Sequence, residues 1–281
     1  MKYCFVFVCQ QGELEIKASL LAASLNRYLK CDHELVVAIP TPEELWGKPA
    51  DHTTAFLKKL GARFIPIRNQ IDEKYPIGNK VSCLLVESSA DKIVFLDSDI
   101  LMMSDFAHSP RFDIAFNAKP ADIASFSTAP QAWREVYKSA GIEMPATQVR
   151  TTLSGDLMPL YFNAGVIAVH REAGLGQVWL DCCRVIDQNP NVVSKRPWLD
   201  QIALPVAVTK LNLKVDLLDD SFNYPAHLKR IDRRYPPLLC HYHYPRFIRS
   251  EPSCLGLVKE LIREHPELSE IMASNSQWNL C

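Results

Sequence analysis

The chain has 281 residues, 48% of them hydrophobic and 22% charged, which is the balance of an ordinary globular protein with ample material for a core. Its 31 Lys and Arg against 32 Asp and Glu leave a formal charge of -1. That total gives no support to a nucleic-acid binder, whose basic footprint would be concentrated, although it leaves room for a local groove that takes a small phosphorylated ligand.

The apolar run that opens the chain stops at Gln10, Gln11 and Gly12. It is too short for a membrane span and lacks a cleavage site, so a buried first strand is expected at 3–8. No later run reaches the roughly 20 residues of a transmembrane helix. Nine cysteines, mostly within apolar segments and with no Cys-x-x-Cys spacing, read as reduced thiols of a cytoplasmic protein rather than a disulfide framework.

Short apolar runs then alternate with amphipathic stretches, the pattern of an α/β protein with a mostly parallel sheet and helical crossovers. A helix is expected over 14–29, where Leu14, Ala18, Leu21, Leu25 and Leu29 fall at helical spacing. A strand follows at 35–39, ended by Pro40 and Pro42, then a helix at 53–60 closed by Gly61 and a strand at 63–67. Next come a helix at 79–88, a strand at 92–96 and a strand at 112–116. From 118 to 157 the pattern breaks around Pro120, Pro130 and Pro145, with a helix near 132–139; the stretch reads as a binding loop or a surface insertion. Order returns with a strand at 161–170, helices at 175–187 and 199–208 (the second shortened by Pro205), and strands at 213–217 and 238–243. A last helix is expected at 255–263, with a partly frayed tail. Residues 1–250 read as one domain and 251–281 as a C-terminal helical extension.

The sharpest feature is Asp97-Ser98-Asp99 at the end of the apolar strand 92–96. Ligands of α/β proteins bind at the carboxyl ends of the strands, and side chains two apart on an extended chain share a face. Two carboxylates so placed repel each other unless a cation or a donor sits between them, and a hard divalent ion meets that need. A turn arrangement accounts for Asp and Ser at a strand end equally simply.

Three further segments, Tyr161-Phe162-Asn163-Ala164-Gly165-Val166, Trp198-Leu199-Asp200-Gln201 and His241-Tyr242-His243-Tyr244-Pro245, follow in order. Together with the acidic pair they resemble the nucleotide-diphospho-sugar transferases of GT-A fold, of the glycogenin-like family 8 type. The resemblance implies a Rossmann-like, mixed but mostly parallel sheet flanked by helices, and a metal-dependent, retaining transfer of a sugar to an acceptor hydroxyl. By that resemblance Asp97 and Asp99 bind the metal and Asp97 also meets the nucleotide ribose. A late-strand histidine completes the metal site; His241 and His243 are both candidates, because they alternate by two. Manganese suits imidazole with carboxylates, with magnesium as the alternative. Lys80 corresponds to the lysine that approaches the sugar or the diphosphate. Asn163 contacts the donor sugar and Gly165 lets the backbone come close to it, with a β-bulge as the competing explanation. Asp200 holds sugar hydroxyls, or caps a helix, and Gln201 lies near the reacting carbon. Ser98 and Ala164 are carried along within their motifs as donor-contacting positions, and a UDP-sugar is the favoured donor.

The sequence departs from that family after His241-Tyr242, where a glycine and then Lys-Pro-Trp are usual. Here Arg246 or Arg249 stands in for the lysine that helps the diphosphate leave. An inverting reaction would need a base, for which Asp156 and Asp200 are candidates. Two alternatives remain: a binding protein that keeps the fold without turnover, and a nucleotidyltransferase, although the single glycine of Gln10-Gln11-Gly12-Glu13 is a poor match to a glycine-rich phosphate loop.

Overall fold

A computed structural model describes residues 1–107 and 114–280. The strands are β1 (Tyr3–Val8), β2 (His33–Thr41), β3 (Arg63–Arg68), β4 (Lys92–Leu96), β5 (Ile100–Met102), β6 (Phe116–Pro120), β7 (Gln148–Arg150), β8 (Leu157–Pro159), β9 (Phe162–His170), β10 (Val215–Leu217), β11 (Tyr224–Pro225) and β12 (Leu239–His241). The helices are α1 (Glu13–Tyr28), α2 (Glu43–Trp46), α3 (Asp51–Lys59), α4 (Gly78–Cys83), α5 (Pro130–Ser139), α6 (Leu175–Gln188), α7 (Leu199–Lys210), α8 (Pro245–Ser250), α9 (Pro252–Glu264) and α10 (Glu267–Ala273).

Seven strands form the main sheet in the order β10-β6-β9-β4-β1-β2-β3. All neighbours are parallel except β9, which runs antiparallel to both β4 and β6. The α/β, mixed but mostly parallel sheet flanked by helices is therefore the architecture of this chain. β1 and β4 are buried along their whole length, as strands covered on both faces must be. One face packs against α4, α5, α6 and α7 through Val6, Phe95, Trp133, Trp179 and Leu204. The other packs against α1 and α3 through Phe5, Phe7, Leu21, Leu25 and Leu57. Beyond α1 lies a third apolar cluster, in which Ile16 and Leu20 of α1 meet Leu261, Ile271 and Trp278.

Several boundaries differ from the sequence expectation for local physical reasons. β2 runs on through Pro40, because β1 has already ended opposite Ala38 and the missing N–H breaks no pairing on that side. α4 ends at Cys83 rather than 88; Ser88 and Ser89 instead bond the carboxylate of Glu34 on β2. Of the strand expected at 112–116, residues 112 and 113 lie outside the described residues, and the described strand starts at Phe116. α7 passes through Pro205 to Lys210, since the burial of Leu199, Ile202, Leu204 and Val206 outweighs one lost helical bond. The tail is not frayed: α10 and the turn at Ser276–Trp278 seat Leu268, Ile271 and Trp278 against α1.

No helix among the described residues is long and apolar enough to cross a membrane, and the eight described cysteines are free. Trp278 is 1% exposed, so Trp278→Ala is expected to cost about 3–5 kcal/mol of stability by urea denaturation; a change within 0.5 kcal/mol would mean that the tail does not pack as described.

Candidate active site

The sheet opens a cavity of about 430 Å³ at the carboxyl ends of β1 and β4, where the strand order turns outward in both directions. Asp97, Ser98 and Asp99 leave β4 at its floor. The antiparallel β5–β12 pair brings the late histidine back to them, with His241 opposite Ile100. Nε2 of His241 lies 2.9 Å from Oδ1 of Asp99 and 3.9 Å from Oδ2 of Asp97. Its Nδ1 lies 3.0 Å from Oδ1 of Asn223, which fixes the ring. With the Nδ1 hydrogen directed at Asn223, Nε2 and the Asp99 oxygen face each other as two acceptors, an arrangement that a proton or a metal ion between them relieves.

β12 stops at His241 and does not reach 243. His243 takes a left-handed backbone at φ 59°, the conformation a glycine would adopt freely, in the run where the family resemblance leads one to expect glycine. Its ring stacks on His241 at 3.8 Å and 21°, and His227 abuts it edge-on at 3.9 Å. The ligand atoms of Asp99, His241 and His243 lie within 4.8 Å of one another, and this cluster could hold one divalent cation. Parallel stacked rings send their lone pairs along parallel paths, so His241 is the ring already aimed and His243 must turn to join it.

Opposite charges offset the crowded carboxylates. Lys80 Nζ sits 3.1 Å from Asp97 and 3.2 Å from Asp200, and Lys17 Nζ sits 3.5 Å from Asp99 and donates to the His243 carbonyl at 2.9 Å. Burial, opposed by Lys80 and reinforced by Asp99, raises the Asp97 carboxyl above its ordinary range. At Asp99 burial is outweighed by His241, Lys17 and His243, and the carboxyl lies well below that range. Burial, with the nearby His241, pushes the imidazole of His243 down to about 2 and that of His227 down to about 4. Both rings are thus neutral at ordinary pH, the form in which imidazole binds a metal.

The cavity is also lined by Asn163, Asp200 and Gln201. The β9 register explains Asn163: Ala118 pairs with Ile167 but Lys119 pairs with Asn163, so residues 164–166 bulge out of the β6 pairing. Asn163 bonds its own turn at Gly165 N and donates to Asp122 Oδ2 at 3.0 Å. Asp200 is 2% exposed, and the hydroxyl of Tyr75 bonds its carboxylate at 3.1 Å.

Other expected positions fall differently. Gly165 does not face the cavity; a Cβ there would come within 2.8 Å of His241 Cε1, so its bareness makes room for that ring rather than for a sugar. Ala164 is buried in the core beside α7 and is absent from the cavity wall. Ser98 lines the cavity, but its hydroxyl is bonded to the Val8 carbonyl at 2.5 Å. Arg246 lies at the exposed start of α8, stacked on Tyr244 and Phe247 and away from the cavity wall, and Arg249 bonds the Gln277 carbonyl. Asp156 closes a turn with Thr151 and Ser154 outside the cavity.

Some residues at the site went unnoticed in the sequence. Asp122, held by the fully buried Lys119, lies in the stretch where the periodicity failed. Lys17 reads as one more polar position on an amphipathic helix, and Asn223 and His227 lie in a loop. Asn79, beside Lys80, lines the cavity too.

This arrangement of sheet and site is a GT-A fold. The galactosyltransferase LgtC with donor and acceptor sugar analogs matches at a TM-score of 0.52 and 14% identity, over 94% of this chain and 96% of that one. Mouse xyloside xylosyltransferase 1 matches at 0.50 and 12%, over 86% and 98%, and the glycosyltransferase GlyE of Streptococcus pneumoniae at 0.51 and 14%, over 86% and 54%. Residues 5–212 match the Rhodobacterales glycosyltransferase domain, and the chain belongs to that family. No curated protein matches it.

Gly165→Ala is expected to displace His241 and cost about 1–3 kcal/mol by overpacking, measured by thermal denaturation. Unchanged stability and unchanged manganese affinity would show that the ring has room to spare.

Proposed function

We propose that the protein transfers a sugar from a nucleoside diphosphate donor, with a UDP-sugar favoured by family resemblance, to an acceptor hydroxyl, with the anomeric configuration retained. In this reading residues 1–250 are the transferase domain and 251–281 its helical extension. The observation that carries it is the meeting of Asp99 and His241, 2.9 Å apart across two sheets, in one cavity with the Lys80–Asp97 pair. A cavity of about 430 Å³ lies within the usual range for small-molecule and cofactor sites.

The donor set, two carboxylates and an aimed imidazole, fits manganese, with magnesium as the alternative. When bound, such an ion neutralises the charge that builds on a departing diphosphate. The residues to hold it are Asp99, His241 and His243, whose ligand atoms lie within 4.8 Å of one another, with Asp97 at the edge of reach. Lys80 adds a fixed positive charge on the same side, preorganised by Asp97 and Asp200 so that little reorganisation is needed during transfer. With Arg246 away from the cavity wall, that task falls to Lys80.

Asp200 accepts hydrogen bonds from sugar hydroxyls, and the paired Asn163 and Asp122 add an amide and a carboxylate to the cavity lining. Gln201 occupies the gap towards the reacting carbon. Asp200 is engaged by Lys80 and Tyr75, which suits a positioning role better than that of a free base. Two hosts of similar folds, a galactosyltransferase and a xylosyltransferase, support sugar transfer as the chemistry.

The test is calorimetric titration of a panel of nucleoside diphosphates and their sugars, with manganese, with magnesium and with chelator. One nucleoside diphosphate is expected to bind in a metal-dependent way, and Asp99→Asn to weaken that binding at least about tenfold, since even supporting residues of metal sites give losses of this size. Arg246→Ala is expected to bind normally. Metal-independent binding, or full affinity in the Asp99 variant, would reject the assignment; metal-dependent binding without transfer or donor hydrolysis would instead identify a non-catalytic binding protein.

A further inference from the structure

Among the described polar residues of the cavity, Asn79 carries the one buried side-chain amide that is matched at neither end. It is 2% exposed, lines the cavity, and has no hydrogen-bond partner at Oδ1 or at Nδ2. Its neighbours are matched: Asp97 with Lys80, Asp99 with His241, Asp122 with Asn163, and Asp200 with Tyr75. A buried amide left unmatched carries a penalty that a ligand in the cavity can relieve.

The geometry of α4 says which part of a ligand Asn79 meets. Lys80 reaches Asp97 on β4 and Asp200 on α7, while Ser82 bonds the Arg68 carbonyl at the end of β3. Each helical residue turns by about 100°, so Asn79 projects between those two directions, towards the strands between β4 and β3, and it lines the cavity together with Val8 at the end of β1. The lining of the cavity also includes the apolar Val8, Leu14, Pro76 and Ile77, of which Pro76 and Ile77 directly precede α4, and Gln10. Asp200, assigned above to the sugar hydroxyls, lies in the direction of Lys80. Gly78 sets the depth: a Cβ there would come within 2.6 Å of Asn69 Oδ1, so the turn that carries Asn79 seats directly on Asn69.

A largely apolar lining with a buried, unmatched carboxamide suits a flat heterocycle, and a carboxamide offers a donor and an acceptor side by side, as the edges of nucleobases do. We infer that Asn79 reads the hydrogen-bonding edge of the donor's nucleobase. The inference rests on the nucleotide-sugar reading above and adds to it the residue that selects the base.

The experiment titrates the wild type, Asn79→Leu and Asn79→Ala with UDP, GDP, ADP and CDP, with UDP-glucose and with inorganic pyrophosphate, all with manganese. Both variants are expected to lose about ten- to a hundredfold in affinity for the preferred nucleoside diphosphate, the size of a lost pair of matched hydrogen bonds. Pyrophosphate affinity is expected to stay the same. In the absence of ligand, Asn79→Leu is expected to melt no lower than the wild type, because an unmatched buried amide has gone; a purely structural asparagine would give the reverse. Asn79→Ala guards against misfitting of the leucine, and both must show the selective loss. Unchanged nucleoside diphosphate affinity, an equal loss with pyrophosphate, or a loss confined to UDP-glucose over UDP would each overturn the inference while leaving the transferase reading intact. Wild-type protein that binds none of the nucleotides would overturn both.

Discussion

The structure is organised around a charge problem. Asp97, Asp99 and Asp200 converge on one sheet edge, where burial makes every uncompensated charge expensive. Lys80 answers two of them and Lys17 with His241 answers the third, each partner coming from a different element of the fold. Moving any one of α1, α4, α7 or β12 relative to β4 would leave a buried carboxylate unpaired. Positions that are far apart in the chain are thereby held together at the cavity by charge pairing.

Smaller devices serve the same end. The bulge of residues 164–166 lets Asn163 turn towards Asp122 while β9 keeps its pairing with β4. Gly165 leaves space for the His241 ring, and Asn223 holds that ring from the far side. The left-handed backbone at His243 lets its ring lie flat on His241, which keeps a second imidazole within reach of the same carboxylate.

The sheet and the acidic pair were legible in the sequence because both rest on local pattern. Uninterrupted apolar runs mark β1 and β4, and a strand that ends in Asp97-Ser98-Asp99 puts charge at the ligand-binding edge. The His241, Asp200 and Lys80 positions were readable only through a resemblance, since nothing in spacing alone joins residues more than a hundred apart. Arg246 was misplaced because charge in sequence says nothing about direction: Pro245 starts a helix whose first arginine stacks on Tyr244. Gly165 and Ala164 were read by motif, but a bulge decides which of neighbouring residues face the cavity. Lys119 and Asp122 escaped notice because a buried ion pair breaks the apolar periodicity by which strands are found.

α1 is a shared beam. Lys17 reaches Asp99, and the adjoining face, with Ile16 and Leu20, supports the third apolar cluster with Leu261, Ile271 and Trp278. Whatever tightens the donor pocket therefore also clamps the far end of the chain, and loosening of that end is felt at the pocket, by reciprocal linkage. α9 and α10 thus brace α1 from behind: their backbone amides should exchange with solvent more slowly when a ligand fills the cavity, although neither helix lines it.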